Sequence, residues 1–231
     1  MTEKFEQLQK NTVDSKDQLR DSKHVFFSLA TEHGLHILFV GNSITLHDIK
    51  DDIGWHRHCG MAASSAEKDY AHILMDKVRV HHPYASFCIC QASEWERQYK
   101  NGGEVHELYR DAQRFDSDVI VLRIVENCPS QDFDPECFKV NLKNLLTYLD
   151  PEGKAKVIFT TAFWHHPGDP TIAEIAQEEG FPLVMLGDLG ERDEMKALGQ
   201  FTHSGVANHP GDLGMETIAE RIYAAMSGYL S

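Results

Sequence analysis

Short apolar runs alternate with longer amphipathic stretches along most of this chain. Residues 35–40, 85–90, 118–125, 156–162 and 182–186 are apolar runs rich in Val, Ile and Phe, each ended by a loop-forming cluster. Runs of this length and composition predict buried strands. Between them, 65–80 places Tyr70, Ile73, Leu74 and Val78 at helical spacing, and 104–115, 134–149, 171–179 and 211–226 read as further helices. Asp134 caps the third of these ahead of Pro135 at its first position. In the last, Ile218, Ile222 and Ala225 share one side. A shorter run at 25–30, turned at His33-Gly34, predicts an extra strand ahead of the first core strand. Residues 4–19 favour a helix but hold few apolar side chains, as expected of a surface arm or an oligomer contact.

Strand followed by helix, repeated, implies an α/β chain with a mostly parallel sheet covered on both faces. The expectation is a three-layer α/β/α sandwich with about five core strands, spanning 35–231. Residues 1–34 then form an amino-terminal arm with the extra strand. At 231 residues the chain can bury one ample core, and no repeat or low-complexity linker divides it. A formal net charge of −14 argues against nucleic acid or an anionic membrane surface as partner. The five cysteines are odd in number and lack a CxxC pair, so no disulfide framework or zinc ribbon is expected, and Cys88 and Cys90 read as core packing. Residues 1–20 are polar, without the apolar core of a signal peptide, and no apolar stretch is long enough for a membrane span. These features together predict a cytoplasmic protein whose partner is a small molecule, with a homodimer compatible with the arm.

The chemistry sits in loops. The strand at 35–40 runs into Gly41-Asn42-Ser43-Ile44, and near the far end comes Asn208-His209-Pro210-Gly211-Asp212. In an open α/β sheet, ligands bind beyond the carboxyl ends of the strands. A serine early and a histidine late, each beside a strand–helix junction, suggest a nucleophile and its general base. Other histidines, His56, His58, His165, His166 and His203, lie on loops, with Asp169 and Asp212 as carboxylates that could join them. Their spacing lacks the i, i+4 pattern of a helical zinc motif, so they read as lining of a polar pocket, with no metal and no cofactor expected. Trp55 and Trp164 occupy loops at the same end of the sheet, where exposed indoles would suit stacking on a sugar ring.

Taken together, Gly41-Asn42-Ser43-Ile44, Gly60, Glu126-Asn127 and His209-Pro210 resemble the motif blocks of the SGNH hydrolases, the GDSL esterase/lipase family, over nearly all of 35–226. The resemblance implies a flavodoxin-like sheet and a serine esterase mechanism, with Ser43 as nucleophile and His209 as base. It also implies an oxyanion hole from the amides of Ser43 and Gly60 and the side chain of Asn127, with Asn42, Trp55 and Trp164 on the substrate. Two blocks depart from the family pattern. The third reads Val125-Glu126-Asn127-Cys128, without the leading glycine or closing aspartate, and the aspartate usually found three residues before the histidine is Val206 here. What orients His209 is then the carbonyl of Val206 or the carboxylate of Asp188 or Glu126. The expected activity is hydrolysis of a short acyl ester, such as an O-acetyl group on a carbohydrate. A non-catalytic carbohydrate-binding protein and a metal-dependent hydrolase are the rival readings.

Overall fold

The computed structural model describes residues 24–30 and 32–230, so the arm expected at 4–19 lies outside the described residues. Six strands form one sheet: β1 (Val25–Ser28), β2 (His36–Gly41), β3 (Ser86–Gln91), β4 (Val119–Arg123), β5 (Lys156–Thr160) and β6 (Leu183–Val184). Their order across the sheet is β1-β3-β2-β4-β5-β6. All neighbours from β3 to β6 pair parallel, while β1 is the antiparallel edge strand that the 25–30 run predicts. Without β1, the five core strands have the 2-1-3-4-5 order of flavodoxin-like sheets.

Alternation along each strand divides the core in two. Ile37, Phe39, Val119, Val121 and Ile158 face one side, where α1 (Tyr70–His81) lies. Leu38, Val40, Ile120, Leu122, Val157 and Phe159 face the other, covered by α2 (Ser93–Arg97), α3 (Pro135–Leu149) and α4 (Asp169–Glu179). A last helix, α5 (Asp212–Met226), returns to pack beside α1. The predicted cap of α3 is present: the Asp134 carboxylate accepts from the Cys137 amide at 3.0 Å. The 104–115 prediction is resolved more finely, as a 3₁₀ segment over Tyr99–Tyr109 followed by one α-turn at Arg110–Gln113.

The switch point of this sheet lies between β2 and β4, the two strands from which the chain departs in opposite directions. Both end there at a loop, one carrying Ser43 and the other Glu126 and Asn127. None of the described helices is long and apolar enough to cross a membrane.

Candidate active site

Gly41 ends β2 because nothing larger fits: a Cβ there would stand 1.8 Å from Thr45 Oγ1. The chain then turns sharply, with the amides of Thr45 and Leu46 both donating to the Asn42 carbonyl at 2.9 Å. Thr45 and Tyr70 share a hydroxyl–hydroxyl bond of 2.7 Å, and the Met61 amide holds the Ser43 carbonyl at 2.8 Å. Ser43 is thereby presented half-buried at the mouth of the sheet.

There it meets the other end of the chain. Ser43 Oγ lies 2.9 Å from His209 Nε2, and His209 Nδ1 lies 2.7 Å from the Gly205 carbonyl. A carbonyl only accepts, so Nδ1 carries the proton and Nε2 offers its lone pair to the serine. The orienting group is a backbone carbonyl, but not that of Val206. Ser204–Ala207 forms one helical turn, and carbonyls in such a turn point toward the residue four positions on. That residue is His209. The Val206 carbonyl instead takes the His209 backbone N–H at 3.0 Å. Trp164 stands edge-on to the imidazole, with ring centroids 5.1 Å apart. Enclosure lowers the imidazole to about 4, more than the Gly205 bond raises it, so His209 is neutral at pH 7.

Asp188 and Glu126 do not orient the histidine. Asp188 is held by Arg221 through two hydrogen bonds of 2.5 and 2.7 Å, which keep its carboxyl below the usual range. Glu126 faces inward, accepting from Asn42 Nδ2 at 2.7 Å, from Arg123 at 2.5 Å and from the Phe163 amide at 3.1 Å.

Beneath Ser43 lies a dense buried polar group that the motifs alone do not reveal. Its members are Asn42, Glu96 and Arg123, all fully buried, with Glu126 and Asn127 at its edge. Asn42 sits at the centre: its side-chain oxygen accepts from Arg123 at 2.6 Å and its amide donates to Glu96 at 2.9 Å and to Glu126. With no exposed surface Asn42 cannot touch substrate, so its expected substrate contact gives way to a structural one. Arg123 lies over the face of Tyr70, its guanidinium carbon 5.9 Å from the ring centroid.

Two further expectations are corrected. The Gly60 amide has one hydrogen, and it is held by the Asp69 carboxylate at 2.9 Å, so Gly60 supplies no oxyanion donor here. Gly60 is nonetheless forced to be glycine, since a Cβ would come 2.4 Å from the Ile44 carbonyl. Trp55 is fully buried, packed against Phe201 with its indole N–H on the His47 carbonyl, and is unavailable to a sugar. Trp164 remains partly exposed at the rim. Of the donors expected for an oxyanion, the candidates left are the Ser43 amide and the Asn127 amide group, of which one hydrogen is taken by Glu96 Oε2 at 2.6 Å. Most of the loop histidines have their own partners: His56 bonds Asp51, His165 bonds Glu191, and His166 bonds the Cys128 carbonyl, while His58 Nε2 lies 2.8 Å from an Asp48 carboxylate oxygen. Among the described residues, no three His, Cys, Asp or Glu side chains gather as metal ligands.

No protein-family model matches the chain, and no curated protein does. Solved structures do. The psychrotrophic esterase EstA from Pseudoalteromonas sp., in a structure inhibited by monoethylphosphonate, superposes with a TM-score of 0.56 at 13% identity, over 84% of this chain and 98% of that one. The fold is that of the SGNH hydrolases. A two-domain esterase (CEX) active on acetylated mannans gives 0.55 at 18% identity over 84% of this chain, which spans about half (49%) of that longer protein. A family two carbohydrate esterase from Clostridium thermocellum, in complex with cellohexaose, gives 0.55 at 16% identity, over 87% of this chain and 67% of that one. At these identities the SGNH likeness extends to architecture; the chemistry must be argued from the side chains.

Proposed function

We propose that this protein is a serine esterase that hydrolyses a short acyl ester, such as an O-acetyl group on a carbohydrate. The observation that carries the reading is the 2.9 Å contact between Ser43 Oγ and His209 Nε2 at the switch point of the sheet. As Oγ attacks the ester carbonyl carbon, its proton passes to Nε2 and the carbonyl electrons move onto oxygen. The Ser43 amide and the free hydrogen of the Asn127 amide stand ready to receive that charge. Collapse expels the alcohol, which takes the proton back from Nε2. Water then attacks the acyl-serine, with His209 again as base, and the acid leaves. The Gly205 carbonyl steadies the transient imidazolium, though less strongly than a carboxylate would, because a carbonyl oxygen sets only a partial negative charge against the cation.

The substrate class draws support from Trp164, an aromatic wall beside the base, and from the sugar-directed esterases that share the fold. The test is hydrolysis of p-nitrophenyl acetate and of an acetylated manno-oligosaccharide, with and without EDTA, together with fluorophosphonate labelling. Turnover should resist the chelator, the label should reside on Ser43, and Ser43→Ala should lose both. Chelator-sensitive turnover that survives Ser43→Ala would overturn the reading in favour of metal chemistry. Tight sugar binding without turnover would make the protein a binding module.

A further inference from the structure

We propose that Glu96 is a positioning residue of the oxyanion pocket, holding the Asn127 side-chain amide and the Val125 peptide so that Asn127 faces the reacting oxygen. The inference rests on the esterase reading and deepens it. Glu96 lies on α2, after β3, with no exposed surface. Its Oε1 accepts from Asn42 Nδ2 at 2.9 Å and from the Val125 amide at 2.5 Å, with the Asn127 amide more distant at 3.5 Å. Its Oε2 accepts from Asn127 Nδ2 at 2.6 Å. Every partner is an N–H donor, so the acceptor-only ionised carboxylate is the form that matches the site.

The backbone supplies the second strand of reasoning. Val125 has φ of 139°, a conformation that a β-branched residue hardly ever adopts, at the place where the motif resemblance expects glycine. Such a residue persists only where its surroundings over-determine it. Here the Glu96 carboxylate grips the strained peptide from one side, while Val125 itself is buried in the core. With the Gly60 amide committed to Asp69, the pocket has two donors rather than three. The orientation of Asn127 therefore matters more, and Glu96 sets it.

The groups that face the carboxylate are Glu126, Cys128 and, through Asn42, Arg123, with Tyr109 farther off. Burial and the Glu126 charge push Glu96 upward. A proton on it would set a donor against a donor, and Glu96→Gln reproduces that state permanently.

The experiment compares wild type, Glu96→Gln, Glu96→Asp, Asn127→Ala and the double variant Glu96→Gln/Asn127→Ala, each checked for folding by circular dichroism. Glu96→Gln should lower kcat by about 10- to 100-fold with KM within about twofold. Asn127→Ala should lose about 10²–10³, as expected for one oxyanion donor. The double variant should be no worse than Asn127→Ala, because Glu96 acts through Asn127. Losses that multiply, or a Glu96→Gln enzyme with normal kcat, would overturn the proposal. Should Glu96→Gln fail to fold, Glu96→Asp keeps the charge but withdraws it by one methylene, and its kcat should fall by a similar factor. Nuclear magnetic resonance gives a readout independent of turnover. The Asn127 side-chain amide hydrogens should exchange slowly with solvent in wild type and faster in Glu96→Gln. Unchanged exchange refutes Glu96 as positioner even if the esterase holds, and a wild type without esterase activity that still shows the exchange difference refutes the esterase alone.

Discussion

The two halves of this site are built from opposite materials. Ser43, His209 and the Gly205 carbonyl form a lean chain of two hydrogen bonds, neutral from end to end at pH 7. Directly beneath, Asn42, Glu96, Arg123, Glu126 and Asn127 bring one guanidinium and two carboxylates into a region with almost no solvent. In the familiar serine–histidine triad the buried carboxylate orients the base. Here the carboxylates are present but hold the side-chain amides of Asn42 and Asn127, and a peptide carbonyl accepts from the imidazole. The lesson is that an imidazole can be oriented by a carbonyl alone while the neighbouring carboxylates are engaged by amides beneath it.

Removing a member of the lean half should break catalysis most. His209→Ala leaves Ser43 without a proton acceptor, and kcat should fall by about 10⁴-fold or more, with the melting temperature changed little. Residual turnover within tenfold of wild type would show that another base works on Ser43.

The dense half should fail through folding instead. Arg123→Met removes the only cation of the buried group, leaving Glu126 without its counter-charge and the Asn42 side-chain oxygen without its guanidinium donor. Breaking a buried ion pair from one side costs about 3–5 kcal/mol, read as a shift in the denaturation midpoint. A stability loss below about 1 kcal/mol would mean that the pair is not electrostatically engaged.

The contrast also explains what could be read from the chain in advance. The five core strands, the edge strand at Val25–Ser28 and the Ser43–His209 pairing were legible, since each rests on local pattern or on a motif at a strand end. Glu96 was not. It touches Asn42, Val125 and Asn127 from 54, 29 and 31 residues away, and nothing near Glu96 in sequence marks it. The departure at Val125 was visible, but its meaning needed the φ angle. Trp55 was expected on the substrate from its place on a loop at this end of the sheet, whereas Phe201, much later in the chain, packs against it and it is buried. The choice of Gly205 over Val206 depended on one helical turn too short to be seen in the periodicity.

A smaller effect distinguishes a carbonyl-oriented base from an ordinary one. The base works unprotonated, so activity is lost as pH falls through its folded pKa. A histidine near 6.5 would be about 3% unprotonated at pH 5 and lose about thirtyfold. With His209 lowered to about 4, kcat/KM of Glu96→Gln, which has no carboxyl to protonate, should stay within twofold of its own pH 7 value at pH 5 and then drop. In wild type, protonation of Glu96, pushed up to about 6, adds an earlier fall. The same shift makes stability fall between about pH 6.5 and 4, because the unfolded chain takes up the proton before the native one does. An acid limb centred near 6.5 in Glu96→Gln would mean that the imidazole is better solvated or better paired than its surroundings imply.

The smallest effect belongs to a carboxylate outside both halves. Asp188 was a candidate for the base's partner because of its place after the fifth core strand, yet its two oxygens bind Arg221 on α5. The pair is partly open to solvent, its side chains 52% and 32% exposed, and such pairs contribute about 0–1 kcal/mol. Asp188→Asn should therefore leave kcat within about twofold and lower stability by no more than about 1 kcal/mol. Glu126→Gln gives the contrasting control: it weakens the Arg123 pair in the dense half without a hydrogen bond to the imidazole. It should therefore destabilise more than Asp188→Asn and move the acid limb downward, because the Glu126 charge raises both His209 and Glu96. If Asp188→Asn instead approached the loss of Ser43→Ala, a loop rearrangement bringing Asp188 to Nδ1 during turnover would be required. The neutral, carbonyl-held base would then describe only the resting enzyme.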